Sequence, residues 1–553
     1  MESKFDAITL EIYWSRLIAI TDEAATTLLR TAFSPIIRES NDFATCLMNV
    51  RGETIAESSC GIPTFSGLLG RACRSMLERF PLETWKDGDC IFTNDPWIAT
   101  GHLPDIAVIV PVFHNGKLVA FSGTAAHTPD IGGSVGSGNS EIYEEGVFIP
   151  PLHLYKAGVR NEEMLELFLK NVRKPDLMLG DIEAQITANR VCQIRTSDFL
   201  SDTGLDDLVD LSHEIQLMSE RSIRDCISAL PDGTYTSLTS LDGFDGIATK
   251  IKCSVTVNGG SILIDYSGTS PQVSRAINCT MNYTQAYSIY PLICLLDSRS
   301  RRNDGSYRPI TVTAPEGCIL NARYPAPVAA RHISGHVLSC AIYQALAGIL
   351  PDMVLADSGG APAMRALIAG QDVNGESFSI ILFASAGMGA SARADGLSTT
   401  AFPTNSGAGS IEILEATAPL LFKRKEFRSN SGGAGKYRGG LGQTIEIENY
   451  SGQPAKVVIV GDRESNPAQG ILGGGAGALA SAEISGIGSV RLKSSAILTS
   501  GSSITFNFAG GGGYGDPNER NLVAVNKDLE LGLVTEDAAK EQYGLKTNIE
   551  NKQ

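Results

Sequence analysis

The amino-acid sequence predicts a multidomain α+β protein in which a mixed α/β N-terminal region precedes β-rich regions. Three observations support this fold class. The chain has 553 residues, enough for several domains at roughly 100–200 residues each. Residues 1–230 combine amphipathic helical patterns with short alternating strands. After Pro231 the pattern changes to short strand-like runs bounded by turn residues.

The first predicted helix covers residues 7–32, where apolar residues recur at three- and four-residue spacing. The residues expected to lie on one face of it are Ile8, Ile12, Leu17, Ile20 and Leu28. Residues 43–56 alternate in character around a turn at Arg51-Gly52, which predicts a β-hairpin. A second helix is predicted over about 66–80.

Paired strands are predicted after this second helix. They lie in IFTNDP and in DIAVIVPVFHNGKLVAFSGTAAH, where Asn115-Gly116 forms the hairpin turn and the last strand ends at His127. Histidine and carboxylate side chains therefore cluster at strand ends. Residues 160–228 have charged faces and few glycines, which predicts helices.

Three further regions are predicted beyond residue 230. Residues 231–410 form a mixed, β-rich central region, with a hairpin turn at Asn258-Gly259-Gly260 and strands as far as about residue 320. Residues 411–516 have strands and turn residues at the close spacing of a β-sandwich or barrel-like region. Residues 517–553 form a helical tail.

The charge balance makes several kinds of partner improbable. The chain has 45 Lys and Arg against 61 Asp and Glu, a net charge of −16, so phosphate backbones and anionic lipid surfaces are repelled at long range. With 43% hydrophobic and 19% charged residues, the composition is that of a folded globular protein. We therefore expect neither a nucleic-acid partner nor a membrane partner.

The sequence also predicts a cytoplasmic location. The eleven cysteines form no CxxC pair, which favours reduced thiols inside the core. The first residues lack the pattern of a secretory signal, and no apolar run reaches the roughly 18 residues that span a bilayer.

Two short motifs could bind a metal. His102 and Asp105 are three residues apart in a loop that leads into a buried strand, and His127 and Asp130 repeat this spacing where the next strand ends. If the second of these strands runs antiparallel to the first, the two motifs lie close together. Mixed nitrogen and oxygen ligands suit zinc, manganese or iron, with a position left open for water or substrate. On spacing alone, the alternative is that these histidines cap loops.

Other motifs give weaker indications of a catalytic or binding site. The glycine-rich segment 432–440 lacks the order GxxxxGKS or GxxxxGKT, so nucleotide binding by this chain is not expected. His332 and His336 would share a helix face, but no HExxH glutamate accompanies them, which favours a core or substrate-pocket role. Neighbouring Arg331 is a candidate contact for an anion. The one GxSxG string, at residues 132–136, lies in a glycine-rich segment without a strand-turn-helix pattern, so a nucleophile elbow is not expected.

Longer strings resemble a known family. They are TNDPWIATGHLPDIAV, AAHTPDIGG, EIYEEGVFIPP, NVRKPDLMLGDIEAQITANR, YRPITVTAPEGCILNARYPAPV, GGAGKYRGGLG and GGGGYGDPNER. Together they are similar to the hydantoinase B/oxoprolinase family, over about residues 5–545. The resemblance implies a cytoplasmic metal-bearing subunit that works with a separate ATP-using subunit. Members hydrolyse hydantoins, 5-oxoproline or lactams, and relatives carboxylate acetone or acetophenone.

The resemblance also implies the site residues. The metal ligands carry over onto His102, Asp105 and His127, with Asp42 as the fourth. Many members have a second histidine where this chain has Thr128. Asp130 and Glu145 become the candidates for orienting the ligands or transferring protons, against a plainer role as loop caps or solvated charges.

The function that follows is the metal-dependent subunit of an ATP-dependent cyclic-amide hydrolase. A hydantoinase A-type ATPase partner, holding ATP and Mg, would phosphorylate the amide oxygen of a hydantoin, 5-oxoproline or lactam. The metal of this chain, zinc, manganese or iron, would then activate water. Two alternatives stay open: a component of an acetone- or acetophenone-type carboxylase, and a non-catalytic scaffold for the ATPase in the same hetero-oligomer.

Overall fold

The structure is a computed structural model that describes residues 4–545 except Val135, Asp245 and Ser300. Residues 546–553 of the predicted tail lie outside this description. The helices are α1 (Ala7–Thr31), α2 (Pro35–Ser40), α3 (Pro63–Arg79), α4 (Glu162–Lys170), α5 (Pro175–Thr203), α6 (Val209–Ser228), α7 (Met281–Leu296), α8 (Asp304–Tyr307), α9 (His332–Gly335), α10 (Leu338–Leu346), α11 (Ile411–Thr417), α12 (Leu522–Glu530) and α13 (Glu536–Tyr543).

The strands lie in four sheets. Those before residue 300 are β1 (Phe43–Met48), β2 (Thr54–Glu57), β3 (Cys90–Thr93), β4 (Asp105–His114), β5 (Lys117–His127), β6 (Leu152–Lys156), β7 (Val159–Arg160), β8 (Gly233–Phe244), β9 (Ile247–Asn258) and β10 (Ser261–Asp265). The others are β11 (Ile310–Thr313), β12 (Arg365–Gln371), β13 (Ser377–Phe383), β14 (Leu420–Phe427), β15 (Gln443–Asn449), β16 (Ala455–Val460), β17 (Ser481–Ile484), β18 (Gly488–Val490), β19 (Lys493–Leu498) and β20 (Ser503–Asn507).

The N-terminal sheet has seven strands in the order β2-β1-β5-β4-β3-β6-β7. Asn115 and Gly116 both have positive φ, 50° and 76°, as a two-residue hairpin turn between β4 and β5 requires. The register of this hairpin pairs Asp105 with His127. The hairpins predicted over 43–56 and at Asn115-Gly116 are therefore confirmed.

Helix α1 packs on this sheet and on α5. Its N-cap is Asp6, whose carboxylate accepts from the amides of Ile8 and Thr9 at 3.0 Å. The helix is where the sequence predicts it, but the expected buried face is wrong at Ile8 and Ile12, which are exposed. The buried stripe passes through Leu10 instead, and residues two apart on a helix lie on nearly opposite sides because each turns by about 100°.

The central region contains a helix where the sequence predicts only strands. Helix α7 lies inside the β section expected to reach about residue 320. It is buried among other apolar elements, so apolar and aromatic residues surround it and no amphipathic period marks it. The strands β8, β9 and β10 and the hairpin turn after Asn258 are as predicted. Helices α4, α5 and α6 confirm the helical prediction over 160–228.

Two C-terminal sheets form a β-sandwich. Their strand orders are β13-β12-β16-β19 and β14-β15-β20-β17-β18, and both contribute to one apolar core. Strand β12 pairs with β16, so the sandwich includes residues from before the predicted boundary at 410. The multidomain α+β class is confirmed, whereas the division into 1–230, 231–410, 411–516 and 517–553 stays a prediction.

Two glycine-rich loops, 431–442 and 510–515, pack backbone against backbone. We call them the glycine stack. Backbone hydrogen bonds of 2.8, 2.9 and 3.0 Å join them, so most of the amides that could bind a phosphate are used by the fold. A Cβ atom on Gly510 would lie 1.6 Å from the Ser431 carbonyl oxygen. The glycines are thus required by close approach.

All eleven cysteines are free thiols and most of them are buried, as the sequence predicts. Among the helices of the described residues, none is both long enough and apolar enough to cross a lipid bilayer.

We expect Gly510→Ala to destabilise the fold, because the new methyl group forces the Ser431 backbone to move. The free energy of unfolding should fall by roughly 1–3 kcal/mol or more. Gly348→Ala is the matched control, since its new Cβ meets no atom within 4 Å. Thermal and urea unfolding would test this. Equal transition midpoints for the two variants would contradict the steric role of the glycine stack.

Candidate metal centre and its cavity

A cavity of ≈ 180 Å³ lies where the N-terminal sheet, helix α7, the segment before α9 and strand β12 meet. Its wall includes all the candidate residues except Asp105, which lies directly behind His102. The residues used below that line it are Asp42, His102, His127, Thr128, Asp130, Glu145, Tyr283, Tyr287, Arg331, His332, His336, Arg365, Thr404 and Ser406.

Strand register brings the predicted ligands together. Asp105 begins β4 and lies opposite His127, the last residue of the neighbouring strand β5. His102 precedes Asp105 by three residues in the loop before β4. One ligand atom from each of these three residues lies within 4.8 Å of the others. The ligand group thus contains the histidines of both HxxD motifs and the aspartate of the first motif.

The three side chains fit a metal ion. His102 Nε2 and Asp105 Oδ1 are 2.9 Å apart, yet their geometry is not that of a hydrogen bond. These two atoms and His127 Nδ1 are buried and have no hydrogen-bond partner in the described part of the chain. Buried polar atoms are normally paired, so three residues that each have an unpaired buried atom and whose ligand atoms converge are best explained by a cation.

Asp42 lies beside this group without joining it. It precedes β1, next to β5 in the sheet, and its carbonyl accepts from the His127 amide at 3.0 Å. Its carboxylate lines the cavity but is not among the atoms within 4.8 Å of one another. Burial raises the pKa of Asp42, while the charge of His127 opposes the shift. Its role as fourth ligand stays a prediction.

Arg331 fixes the orientation of Asp105. Its Nη2 donates to Asp105 Oδ2 at 2.6 Å, which leaves Oδ1 facing His102. Arg331 Nε donates to the Thr100 carbonyl at 2.8 Å, and the guanidinium lies 4.3 Å from the Tyr283 ring centroid. Burial alone would raise the pKa of Asp105, but His102 and Arg331 outweigh it and hold this pKa below its ordinary value. The anion that Arg331 contacts is therefore Asp105.

His102 is oriented by a backbone carbonyl. Its Nδ1 lies 3.0 Å from the Ala329 oxygen, so the ring donates there and presents Nε2 to the ligand group. Burial lowers the pKa of His102 to about 4, and Arg331 adds to this shift. The imidazole is thus neutral at physiological pH, as a metal ligand must be.

Glu145 holds the same backbone segment from the other side. Its Oε1 accepts from the amides of Val328 and Ala329 at 2.7 and 2.8 Å. Its Oε2 is buried and has no hydrogen-bond partner among the described residues. Burial raises the pKa of Glu145 to about 8, only partly offset by those two amides. This carboxyl therefore carries a proton at neutral pH, at the wall of the cavity.

Asp130 and Thr128 are differently placed. Asp130 Oδ1 accepts from Arg173 Nη1 at 2.9 Å and from the Gly132 amide at 3.1 Å. Its Oδ2 accepts from the backbone amides of Arg173 and Lys174. Both oxygens are therefore occupied, unlike those of Glu145. The Thr128 hydroxyl donates to the Pro104 carbonyl at 2.7 Å, so it supports the loop before β4.

The cavity is also lined by residues that sequence patterns did not place in a site. Arg365 begins β12, and Tyr283 and Tyr287 come from the unpredicted helix α7. An arginine at the start of an otherwise apolar strand was the available signal for Arg365. His332 and His336 also line the cavity, which agrees with their predicted pocket role.

Comparison with known proteins identifies the family. A family model for hydantoinase B/oxoprolinase matches residues 6–517. The chain belongs to the hydantoinase B/oxoprolinase family. This confirms the resemblance found in the sequence strings. The B subunit of a putative D-/L-hydantoinase from a Pseudomonas species is 33% identical, covering 98% of this chain and 95% of that protein.

Caprolactamase and a carboxylase share this fold. The beta subunit of the Pseudomonas jessenii caprolactamase is 30% identical over 98% of this chain and 96% of its own. The crystal structure of the ATP-dependent caprolactamase from that organism matches with a TM-score of 0.91 and 28% identity, covering 99% and 97% of the two chains. A nucleotide-free acetone carboxylase matches with a TM-score of 0.87 over 98% of this chain and 79% of its own, and at 21% identity this shows the fold alone.

We expect purified chain to bind about one divalent transition-metal ion, held through His102, Asp105 and His127. His127→Ala should reduce the bound metal well below one ion per chain, because it removes one of three converging ligand atoms. His213→Ala changes an exposed histidine of α6 and is the matched control. Elemental analysis after dialysis gives the readout. A His127→Ala protein that retains the full metal content would refute this assignment.

The raised pKa of Glu145 predicts a pH dependence of stability. Because the folded state holds this proton up to about pH 8 and the ordinary pKa of a glutamate is 4.5, the stabilising contribution is fully present below pH 4.5. It is lost as the pH rises through 8. Glu145→Gln mimics the protonated form, so its stability should fall less than that of wild type over this range.

Urea unfolding of chelator-treated protein at several pH values measures this difference. Glu166→Gln, at an exposed position of α4, should follow the wild-type profile. If Glu145→Gln also follows it, then Glu145 is ionised at neutral pH.

Proposed function

We propose that this chain is the metal-dependent subunit of an ATP-dependent cyclic-amide hydrolase, acting on a hydantoin, 5-oxoproline or a lactam. The observation that supports it best is that His102, Asp105 and His127 each bring a ligand atom within 4.8 Å of the others, next to a cavity that Glu145 also lines. One cavity thus offers two kinds of chemistry that ring opening requires: a Lewis-acid position and, with the raised pKa of Glu145, a proton donor.

An amide is a poor electrophile, so activation must come first. The sequence lacks the P-loop order GxxxxGKS or GxxxxGKT, and most amides of the glycine stack are hydrogen-bonded within the fold. Two relatives are named as the B or beta component of their enzymes, which supports a partner subunit. We propose a hydantoinase A-type ATPase that uses ATP and Mg to phosphorylate the amide oxygen. A hetero-oligomer in the cytoplasm stays a prediction.

His102, Asp105 and His127, with Asp42 as the proposed fourth ligand, would hold zinc, manganese or iron. When bound, such an ion supplies Lewis acidity that lowers the pKa of water from 15.7 to about 7. Arg331 keeps Asp105 ionised and oriented, and the Ala329 carbonyl keeps His102 in the tautomer that exposes Nε2.

We assign proton transfer to Glu145 in preference to Asp130. Glu145 Oε2 is free and its carboxyl is protonated at neutral pH, so it can deliver a proton to the ring nitrogen as the carbon–nitrogen bond breaks. Asp130 has both oxygens bound to Arg173 and its neighbours. We propose that Asp130 holds the loop after β5, and its predicted catalytic role is tested beside Glu145 below.

The function is tested with the chain co-purified with its ATPase partner. ATP consumption and product formation would be measured against hydantoins, 5-oxoproline, lactams, and ketones with bicarbonate. Ring opening that requires ATP and both chains is the expected result. Carboxylation of a ketone would establish the alternative activity, and turnover that persists after removal of the metal ligands would leave the chain a scaffold. Glu145→Gln should lower product formation more than Asp130→Asn.

Asp105→Asn should separate ATP use from ring opening. The substituted amide is a weaker ligand than a carboxylate, so product should fall by orders of magnitude while the partner still consumes ATP in the presence of substrate. Asp87→Asn, at an exposed turn, should leave both rates unchanged. Equal losses of ATP consumption and product in Asp105→Asn would argue against this division of labour between the two chains.

A further inference from the structure

The cavity beside the ligand group also contains a second polar cluster. We propose that Arg365, His332, His336 and Ser406 form a phosphate-binding group, here called the anion pole. The inference rests on the proposed function, because the phosphoryl group of an activated amide is the oxyanion that this cavity would receive. The elements that supply the pole are strand β12, helix α9 with the residue after it, and the segment near residue 406.

The guanidinium of Arg365 has N–H donors that make no hydrogen bond among the described residues. Its Nη1 donates to the carbonyls of Met364 and Ala384, both at 3.3 Å, and its Nη2 donates to Ser406 Oγ at 3.4 Å. These contacts are long and use three of the five N–H groups of a guanidinium. Nε–H and one Nη2–H remain. That pair is the fork with which arginine binds two oxygens of one anion.

Arg365 also lacks a carboxylate partner. Within the described residues no Asp or Glu oxygen lies within 4.0 Å of its nitrogens, whereas Arg331 is paired with Asp105 and Arg173 with Asp130. Burial lowers the pKa of Arg365 to about 10, and the charge of Asp42 offsets this only in part. Arg365 is only partly exposed. A positive charge there that lacks a close counter-ion would be stabilised by a bound anion.

The two histidines supply unused polar atoms next to this charge. His336 is 4% exposed and its ring stacks on Tyr287, 5.2 Å between centroids. Its Nδ1 and the Nε2 of His332 are buried with no hydrogen-bond partner in the part of the chain that is described. Burial and then neighbouring positive charge, Arg365 among it, hold both pKa values well below 6.5. Both rings are neutral, and a neutral imidazole has one donor and one acceptor.

These features favour phosphate over other ligands. A cation is disfavoured beside Arg365, and among the described residues only the group at His102 brings three metal-ligating atoms together. A carboxylate has two oxygens, which the Arg365 fork alone would satisfy. A hydrogen-phosphate group has further oxygens and an O–H, so it can also pair with the two imidazoles. The anion pole would thus hold the phosphoryl group while the carbon to be attacked faces the ligand group.

The test is phosphate binding by the full-length chain, measured by calorimetry before and after chelator treatment. Wild type should bind inorganic phosphate in both states, and acetate at equal concentration should not compete. Arg365→Gln should weaken binding by about tenfold to hundredfold, the range expected for lost charge-assisted hydrogen bonds. His336→Phe, which keeps a ring against Tyr287, should weaken it less. Arg323→Gln, an exposed arginine paired with Glu316, is the control and should bind as wild type does.

Arg365→Lys is a second variant, chosen because it keeps the positive charge and is therefore less liable to misfold. It lacks the paired donors of the guanidinium, so it should bind phosphate more weakly than wild type does.

Unchanged phosphate affinity in Arg365→Gln with altered metal affinity would show that Arg365 only balances the charge of Asp42, and would overturn the proposal. Competition by acetate would overturn the phosphate assignment in favour of a carboxylate. Arg365-dependent phosphate binding in a complex that opens no ring would keep the anion pole and reject the hydrolase. Ring opening by a complex that does not bind phosphate would keep the hydrolase and reject the anion pole.

Discussion

One buried ion pair connects the two halves of the candidate site. Arg331 Nη2 and Asp105 Oδ2, 2.6 Å apart, join the segment before α9 to the first residue of β4. Neither side chain reaches solvent to a useful extent, so removing one partner would leave the other charged and unpaired, at a cost of roughly 3–5 kcal/mol. The pair therefore helps to fix how the segment before α9 lies against the N-terminal sheet, together with contacts such as that of Trp97 with the Ala322 carbonyl.

Much of the cavity depends on that placement. Because Arg331 is held, the Ala329 carbonyl lies where His102 can donate to it, and Glu145 can accept from the Val328 and Ala329 amides. The same short segment leads into α9, which begins with His332. One stretch of backbone thus contacts the candidate ligand His102 and Glu145 and leads directly into His332 of the anion pole.

The sequence predicts the parts of the site that are local. A hairpin turn at Asn115-Gly116 sets the register that pairs Asp105 with His127, and the HxxD spacing brings in His102. Contacts across long separations have no such pattern. Arg331 is 226 residues from Asp105 along the chain, and α7 is apolar all round, so neither its helical form nor its tyrosines could be read from periodicity. Arg365 is marked only by its position in an apolar strand.

The close packing of the glycine stack also affects how functional sites in this family can be inferred from residue invariance. Most of its glycines leave no room for even a methyl group, because backbone atoms of the other loop or of neighbouring segments occupy the space. Purely steric selection would keep such positions unchanged over long evolutionary times, whatever the enzyme acts on. A ranking of residues by invariance alone would then place these loops beside the cavity ligands. Only chemistry distinguishes them: most backbone amides of the loops are hydrogen-bonded within the fold, whereas the cavity has buried polar atoms without partners among the described residues.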